Sequence, residues 1–243
     1  MKFLCQKRQL IANTKLPLRY WFYAMFLFLS HKSGVSSCQL ARDLEITQKT
    51  AWRMLHVIRK NMDFENKHTL SGEVEIDETF VGGKNQNRHK DKKVEKCQGR
   101  SFKDKVPVFG ILERGGKLIA KVVPNTQSKE LVPLIQKHVE KESIVYTDGW
   151  EYNGLIIDYK QRSVDHEKKF YGTTYATKYG EVITISTNGI ENAWASLKRT
   201  IKGTYIHVSK TYMQRYVDEF VFRFNTRHYT DYQRFSLYLR NIA

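Results

Sequence analysis

The sequence predicts an α/β protein in which a mixed β-sheet is flanked by helices and preceded by an all-α unit. Three observations support this fold class. Residues 1–66 carry apolar residues at helical spacing, whereas residues 67–243 alternate between β-rich and helical segments. Apolar residues make up 41% of the 243, which is enough for a substantial core. We therefore predict two domains, 1–66 and 67–243, with the boundary in the polar segment FENKHTLSG.

The first predicted element is an apolar helix from Leu16 to Leu29. Its most apolar stretch, Trp21 to Leu29, is much shorter than the roughly 20 residues that a membrane-spanning helix needs. We therefore expect a helix buried in a protein core and no association with a membrane.

Two short helices joined by a tight turn are predicted next. Ser36 is suited to cap a helix that ends near Leu44, and a second helix starts near Gln48. Apolar residues follow a helical repeat along the second helix and predict a buried stripe. The stripe consists of Ala51, Leu55, Ile58 and Met62. Helix, tight turn and helix is the arrangement of a helix-turn-helix unit.

The other side of the second helix is predicted to be exposed and polar. Its residues are Gln48, Lys49, Thr50, Arg53, His56 and Arg59. Recognition helices of helix-turn-helix units present their N-terminal residues to base edges in the major groove. The candidates for DNA contact are therefore Gln48, Lys49, Thr50 and Arg53. An ordinary pair of packed helices stays open as the alternative.

The second domain begins with three predicted strands. The segment Gly72 to Gly83 has apolar Val74 and Ile76 on one face and places Asp77 on the other. Residues 106–112 and 117–123 are β-rich and are separated by a Glu-Arg-Gly-Gly turn, which predicts an antiparallel hairpin. The first three strands are therefore expected to be antiparallel.

A crossover helix and a fourth strand follow. Residues 128–140 are amphipathic and lead into 143–147, a strand that ends at Asp148. A helix between two strands of one sheet predicts that the strands are parallel. This order of elements is that of the ribonuclease H-like fold, and it would place Asp77 beside Asp148. Two adjacent carboxylates can both ionise if a cation such as Mg²⁺ or Mn²⁺ neutralises them.

A third acidic residue is expected from a later helix. In the segment NGIENAWASLKR, Glu191 and Lys198 are two helical turns apart and share a face. Glu191 could complete a metal site with Lys198 directed toward a phosphate. A second interpretation stays open, in which Asn188 and Glu191 form an N-terminal capping box.

Composition indicates a polyanionic partner. Lys and Arg total 41 against 25 Asp and Glu, a formal charge of +16. Residues 84–105 contain nine Lys or Arg and are interpreted as a basic loop along a phosphate backbone, or as a solvated loop without a partner.

The three cysteines, Cys5, Cys38 and Cys97, are too few and too scattered for a disulfide framework. A reducing, cytoplasmic setting is therefore expected; the resemblance described next implies that it is of the bacterial type, with nucleoid association.

The order of these motifs resembles one family. This family is the lineage of DDE-type insertion-sequence transposases whose members carry a zinc ribbon, a helix-turn-helix and a ribonuclease H-like core. The residues that carry the resemblance are TKLPLRYWF, QLARDLEITQKTAWRMLHVIRK, VEIDETFVGG, VYTDGWEYNGL, NGIENAWASLKR and YVDEFVFRFNTR. They span nearly the whole chain and stand in the expected order.

The resemblance implies roles for particular residues. It identifies Asp77, Asp148 and Glu191 as catalytic acids that hold Mg²⁺ or Mn²⁺, with Asn188 as the alternative third member. It also implies that Lys198 and Arg199 contact DNA. Double-stranded DNA, both the element's ends and the target, is the implied partner, and a homodimer or higher oligomer is expected.

One departure from the family concerns the zinc ribbon. Its paired cysteines are missing here, and Cys5 alone cannot hold zinc tetrahedrally. A truncated reading frame and a start site further upstream are the two interpretations. A catalytically inactive or domesticated DNA-binding regulator, and a ribonuclease H-like repair nuclease, remain as other functions.

Overall fold

The computed structural model describes residues 14–83, 89–93, 105–148, 158–164, 173–176 and 182–242. Three helices come first: α1 (Leu18–Ser30), α2 (Ser37–Asp43) and α3 (Gln48–Lys60). They confirm the three helices predicted for this part of the chain.

Side-chain caps fix where α2 and α3 begin. The Ser36 hydroxyl accepts a hydrogen bond from the backbone N–H of Gln39, and the Thr47 hydroxyl accepts one from that of Thr50. Each bond satisfies a first-turn N–H that has no partner within its own helix. The predicted Ser36 cap is therefore confirmed.

The predicted buried stripe of α3 is confirmed as well. Its four residues are at most 2% exposed and pack in a core with Trp21, Met25 and Phe28 of α1. This core also contains Phe222 and Tyr238, which come from the far end of the chain. The N-terminal helices are thus packed together with the last two helices.

A five-stranded mixed sheet forms the centre of the second part. Its strands are β1 (Glu73–Val81), β2 (Val106–Glu113), β3 (Leu118–Val122), β4 (Ile144–Asp148) and β5 (Lys160–Val164), in the order β3-β2-β1-β4-β5. Strands β1, β2 and β3 are antiparallel neighbours, whereas β4 runs parallel to β1 and to β5. This is the predicted ribonuclease H-like topology.

Helices cover both faces of the sheet. Helix α4 (Ser128–His138) places Leu131 and Ile135 against one face, where Val74 and Ile76 of β1 are buried. Helices α5 (Asn188–Thr200) and α6 (Met213–Asn225) cover the other face. Side chains alternate between the two faces of a strand, so Glu75 and Asp77 lie on the α5 side.

The remaining described elements are short. Strands β6 (Thr173–Ala176) and β7 (Val182–Ile185) form a separate antiparallel pair, and a π-helical turn at Ile201–Tyr205 extends α5. Single 3-10 turns lie at Asp63–Lys67, Lys90–Lys92 and Lys210–Tyr212, and α7 (Asp231–Ile242) is the last helix.

Some sequence-based expectations lie partly outside the described residues. Of the predicted basic loop 84–105, only 89–93 and 105 are described. The domain boundary at residue 66 stays a prediction. In the part of the chain that the structure describes, no helix is long and apolar enough to cross a bilayer.

Candidate functional site

Strand β1 carries Asp77 to the centre of the sheet. Asp77 is opposite Gly110 of β2 in the antiparallel register. On the other side, the parallel register with β4 pairs Ile76 with Thr147. Asp77 and Asp148 are the next residues on their strands, so the predicted neighbourhood of these two acids is confirmed.

Helix α5 brings Glu191 and Lys198 to the same face of the sheet. It packs through Ile190, Trp194 and Leu197, all of which are buried. A Cβ atom on Gly110 would clash with the Trp194 ring. Glycine opposite Asp77 therefore lets α5 approach the sheet closely at this point.

Asp77 lies within electrostatic reach of acids on three elements. The pKa of Asp77 is raised to about 7, mainly by burial; a backbone hydrogen bond from Glu78 opposes this shift, and the negative charges of Glu78, Asp148 and Glu191 add to it. Like charges disfavour the ionised form of a carboxyl group. The structure thus brings together acids from β1, β4 and α5.

Lys198 lies within electrostatic reach of the same carboxylate. Desolvation lowers the pKa of Lys198, the Asp77 carboxylate opposes this shift, and the ammonium of Lys105 adds to it. Two cations and an acid cluster therefore meet at one end of the sheet. Such a mixture suits a ligand that carries both phosphate oxygens and a metal ion.

The oxygen donors fit a hard divalent cation. Carboxylate oxygens are the protein ligands that Mg²⁺ and Mn²⁺ prefer, and a cation here would offset the repulsion that raises the pKa of Asp77. Within the described residues, no three His, Cys, Asp or Glu side chains form a ready metal-binding group. Glu191 instead accepts a hydrogen bond from the Thr187 hydroxyl at 3.1 Å.

The start of α5 differs from the capping-box interpretation. Thr187, not Asn188, is the N-cap residue, and its side chain makes no capping hydrogen bond. Asn188 is the first helical residue and is exposed. The interpretation of Asn188 as the N-cap is therefore wrong, because the helix begins at Asn188, one residue earlier than that motif requires.

The predicted DNA-contacting residues occupy the first half of α3. Gln48, Lys49 and Arg53 are exposed and Thr50 is partly exposed. The Gln48 amide also donates to the Ser37 hydroxyl at 2.7 Å, which ties α3 to α2. Arg199, on α5, is exposed too.

Two residues of the predicted exposed side of α3 are in fact buried. His56 is 4% exposed and Arg59 is 1% exposed. Their partners come from α6, where Glu219 binds Arg59 at 2.8 Å and Arg215 donates to His56 at 3.2 Å. The prediction was wrong because α6, about 160 residues later, covers this part of the helix.

Glu75 is the site residue that sequence reasoning missed. It is 4% exposed, and its carboxylate accepts from the backbone N–H of Ile190 at 2.9 Å. The available signal was its spacing of two residues from Asp77, which puts both acids on the same face of β1.

Comparisons with known proteins identify the family of the chain. A family model described as the ISXO2-like transposase domain matches residues 69–225. An uncharacterized transposase-like protein of Haemophilus influenzae is 32% identical over 109 residues, which make up 45% of this chain and 81% of that protein.

Two solved structures of Mos1 transposase also align with the chain. The alignment with the paired-end complex with the left transposon end covers 95% of this chain and 80% of the Mos1 chain, at 13% identity and a TM-score of 0.35. The alignment with the strand transfer complex covers 95% of this chain and 79% of the Mos1 chain, at 12% identity and a TM-score of 0.33. Since the family model spans more than half of the residues, the chain belongs to the family of ISXO2-like transposases.

Proposed function

We propose that this transposase binds the terminal repeats of an insertion sequence and catalyses metal-dependent cleavage and transfer of DNA strands. Asp77, Asp148 and Glu191 are the proposed ligands of Mg²⁺ or Mn²⁺. One observation supports this most directly: the register of β1 and β4 places Asp77 next to Asp148, and the charges of Asp148 and of Glu191 on α5 both raise the pKa of Asp77. Such convergence has no role in packing, because it raises the cost of ionising Asp77.

The chemistry we propose is phosphodiester exchange. In cleavage, a water oxygen bonds to phosphorus and the bond from phosphorus to the 3′ oxygen breaks, which frees a 3′ hydroxyl. In transfer, that hydroxyl attacks a phosphodiester of the target, and one target 3′ oxygen leaves. A bound divalent cation supplies Lewis-acid activation of the attacking oxygen and stabilises the leaving one.

The residues of the chain contribute position and charge. Strands β1 and β4 hold Asp77 and Asp148 in neighbouring register, and α5 supplies Glu191 from above the sheet. Lys198, two turns further along α5, is proposed to bind a phosphate oxygen as a point charge. Asn188 is the alternative third residue.

DNA recognition is proposed for α3. Lys49 and Arg53 are exposed near its N-terminal end, where helix-turn-helix proteins contact bases, and Gln48 and Thr50 flank them. Arg199 is proposed to contact the phosphate backbone. Because two DNA ends must be cut and joined together, we propose that a homodimer or a larger assembly acts.

A cleavage assay tests the proposal. The full chain is incubated with labelled DNA that carries the element's ends, with and without Mg²⁺. We expect the parent chain to cleave this DNA when Mg²⁺ is present. The cleavage rate should fall by at least about 10³-fold in each of Asp77→Asn, Asp148→Asn and Glu191→Gln, while DNA binding persists. Asn188→Ala should cut normally if Glu191 is the third acid.

Asp158→Asn is the matched control, since Asp158 pairs with the exposed Lys141 at 3.1 Å outside the site. It should cut like the parent. A parent chain that binds the ends without cutting them contradicts the proposal and indicates a DNA-binding regulator. Cleavage of hybrid or branched substrates without any need for the repeats indicates a repair nuclease instead.

A further inference from the structure

One arginine contacts the two strands that carry Asp77 and Asp148, and also the segment that leads into α5, the helix that carries Glu191. Arg114 lies in the turn between β2 and β3, and its guanidinium donates to three acceptors. They are Glu73 Oε2 at 2.7 Å, Glu75 Oε1 at 3.1 Å and the backbone oxygen of Ser186 at 2.8 Å. Glu73 and Glu75 belong to β1, and Ser186 leads directly into α5.

Arg114 contacts strand β4 through the aromatic ring of Tyr146. The Arg114 guanidinium lies 3.8 Å from the centroid of the fully buried Tyr146. The Tyr146 hydroxyl in turn donates to Glu73 at 3.0 Å. Glu75 and Tyr146 are register partners, and Asp77 and Asp148 lie two residues further along the same strands and on the same face.

Glu75 extends the cluster to the first turn of α5. One carboxylate oxygen accepts from Arg114 and the other accepts from the Ile190 N–H at 2.9 Å. Because Thr187 provides no side-chain cap, Glu75 caps the helix from a different element. A carboxylate is also favoured there by the positive end of the helix dipole.

Gly189 provides the space for this contact. A Cβ atom at that position would lie 2.7 Å from Glu75 Oε2. Only a residue without a side chain lets the carboxylate approach the helix so closely. The start of α5 is therefore held against the strand that carries Asp77.

We propose that Arg114 and Glu75 are positioning residues that set the spacing of the Asp77, Asp148 and Glu191 carboxylates. Neither residue needs to touch metal or DNA for this role. Arg114 joins β1, β4 and the lead-in to α5, and Glu75 fixes the first turn of the helix that carries Glu191. The inference rests on the proposed function of the three acids, but the contacts themselves are measurable without DNA or metal.

Amide exchange tests the contact in the metal-free full chain. In Glu75→Ala the Ile190 amide should exchange at least about tenfold faster, while amides in the middle of α6 stay unchanged. Glu75→Gln keeps an acceptor oxygen and should restore part of the protection. Gly189→Ala should resemble Glu75→Ala, because the added methyl group displaces the carboxylate.

Metal binding and kinetics test the consequence for the site. Arg114→Gln and Glu75→Gln should each weaken Mn²⁺ binding by about tenfold. Calorimetry measures this affinity. In the cleavage assay, kcat should fall while the KM for DNA changes little, because the recognition helix is untouched. Arg227→Gln is the matched control, because Arg227 donates to Gly116 O in the same hairpin and to Phe224 O of α6, a helix that carries none of the three acids.

Different results overturn the two proposals. If Glu75→Ala and Glu75→Gln both leave Ile190 exchange unchanged, or if Mn²⁺ affinity and kcat match the parent, the positioning role is wrong. If the parent neither binds Mn²⁺ nor cleaves DNA, the proposed function fails. The exchange experiment then still decides whether Glu75 fixes the start of α5.

Discussion

Two carboxyl groups of this protein are shielded from water, but one is surrounded by positive charges and the other by negative charges. Glu219 of α6 is fully buried and accepts from Arg59 at 2.8 Å, from Arg223 at 3.0 Å and from the Tyr205 hydroxyl at 2.6 Å. Although burial raises the pKa of Glu219, Arg59 and Arg223 bring it below its ordinary value. Asp77, in contrast, has its pKa raised to about 7 by burial and by neighbouring acids.

The contrast separates a carboxylate that stabilises the fold, Glu219, from one that we propose to be functional, Asp77. Around Glu219 the fold supplies the balancing cations itself, and the Arg59 guanidinium also lies against the rings of Tyr205 and Tyr216 at 4.8 Å and 4.2 Å. Around Asp77 the fold adds further negative charge. Burial of an acid therefore indicates a functional site when like charges accompany it.

The largest effect is expected at the balanced carboxylate. Glu219→Gln leaves Arg59 and Arg223 buried without their counter-charge, so the free energy of unfolding should fall by about 3–5 kcal/mol. Urea unfolding at pH 7 measures it. A loss below about 1 kcal/mol would show that the network does not hold α3 to α6.

The opposite sign is expected at the unbalanced carboxylate. Asp77→Asn removes an unfavourable charge, so at pH 8 the metal-free protein should gain on the order of 1–3 kcal/mol of unfolding free energy. The same urea experiment applies. Destabilisation by this variant would contradict the like-charge description of the site.

The two regions should also give opposite pH slopes. Asp77 has an ordinary pKa of 3.8 that folding raises to about 7, so in this window the native state holds more protons. Stability from Asp77 is therefore present at low pH and is lost as the pH rises toward 7. Asp77→Asn should remove this downward slope from the stability of the metal-free protein.

His56, beside Arg59 on α3, should act in the reverse direction. Burial, together with Arg59 and Arg215, lowers the pKa of His56 from 6.5 to about 4. Between these values the unfolded state binds the extra proton, so stability falls as the pH drops from 6.5 to 4. His56→Gln should flatten that loss, and an unchanged slope in urea titrations from pH 4 to 7 would contradict the assignment.

The smallest effect is expected at an exposed ion pair. Asp63 and Lys67 are 2.8 Å apart, but their side chains are 48% and 65% exposed. Asp63→Asn should change the free energy of unfolding by less than about 0.5 kcal/mol. A loss comparable to that of Glu219→Gln would mean that burial does not distinguish the two pairs.

Local pattern was sufficient for most of the fold. The alternation around Val74 and Ile76 predicted β1, and the crossover helix predicted that β4 runs parallel to it. Because strand order then determined which strands are neighbours, the adjacency of Asp77 and Asp148 followed from the sequence. The Ser36 cap was also predictable, since its partner Gln39 is only three residues away.

Contacts between distant segments could not be predicted in this way. His56 and Arg59 match an exposed polar face by spacing alone, and only the packing of α6 buries them. Glu75 caps a helix that begins 113 residues later, because Asn188 is its first residue. Periodicity reports which face of an element is apolar, but it does not report which polar group another element will cover.

The shared core of the first and last helices has a consequence for synthesis. Tyr238 is fully buried among residues of α1 and α3, and its hydroxyl donates to the Ile58 carbonyl at 3.0 Å. A nascent chain that has not yet delivered α6 and α7 lacks part of the surface on which α3 rests. Docking of α3, the helix proposed to contact DNA, therefore waits for translation of α6 and α7, so a chain interrupted before α7 lacks part of the core on which α3 packs.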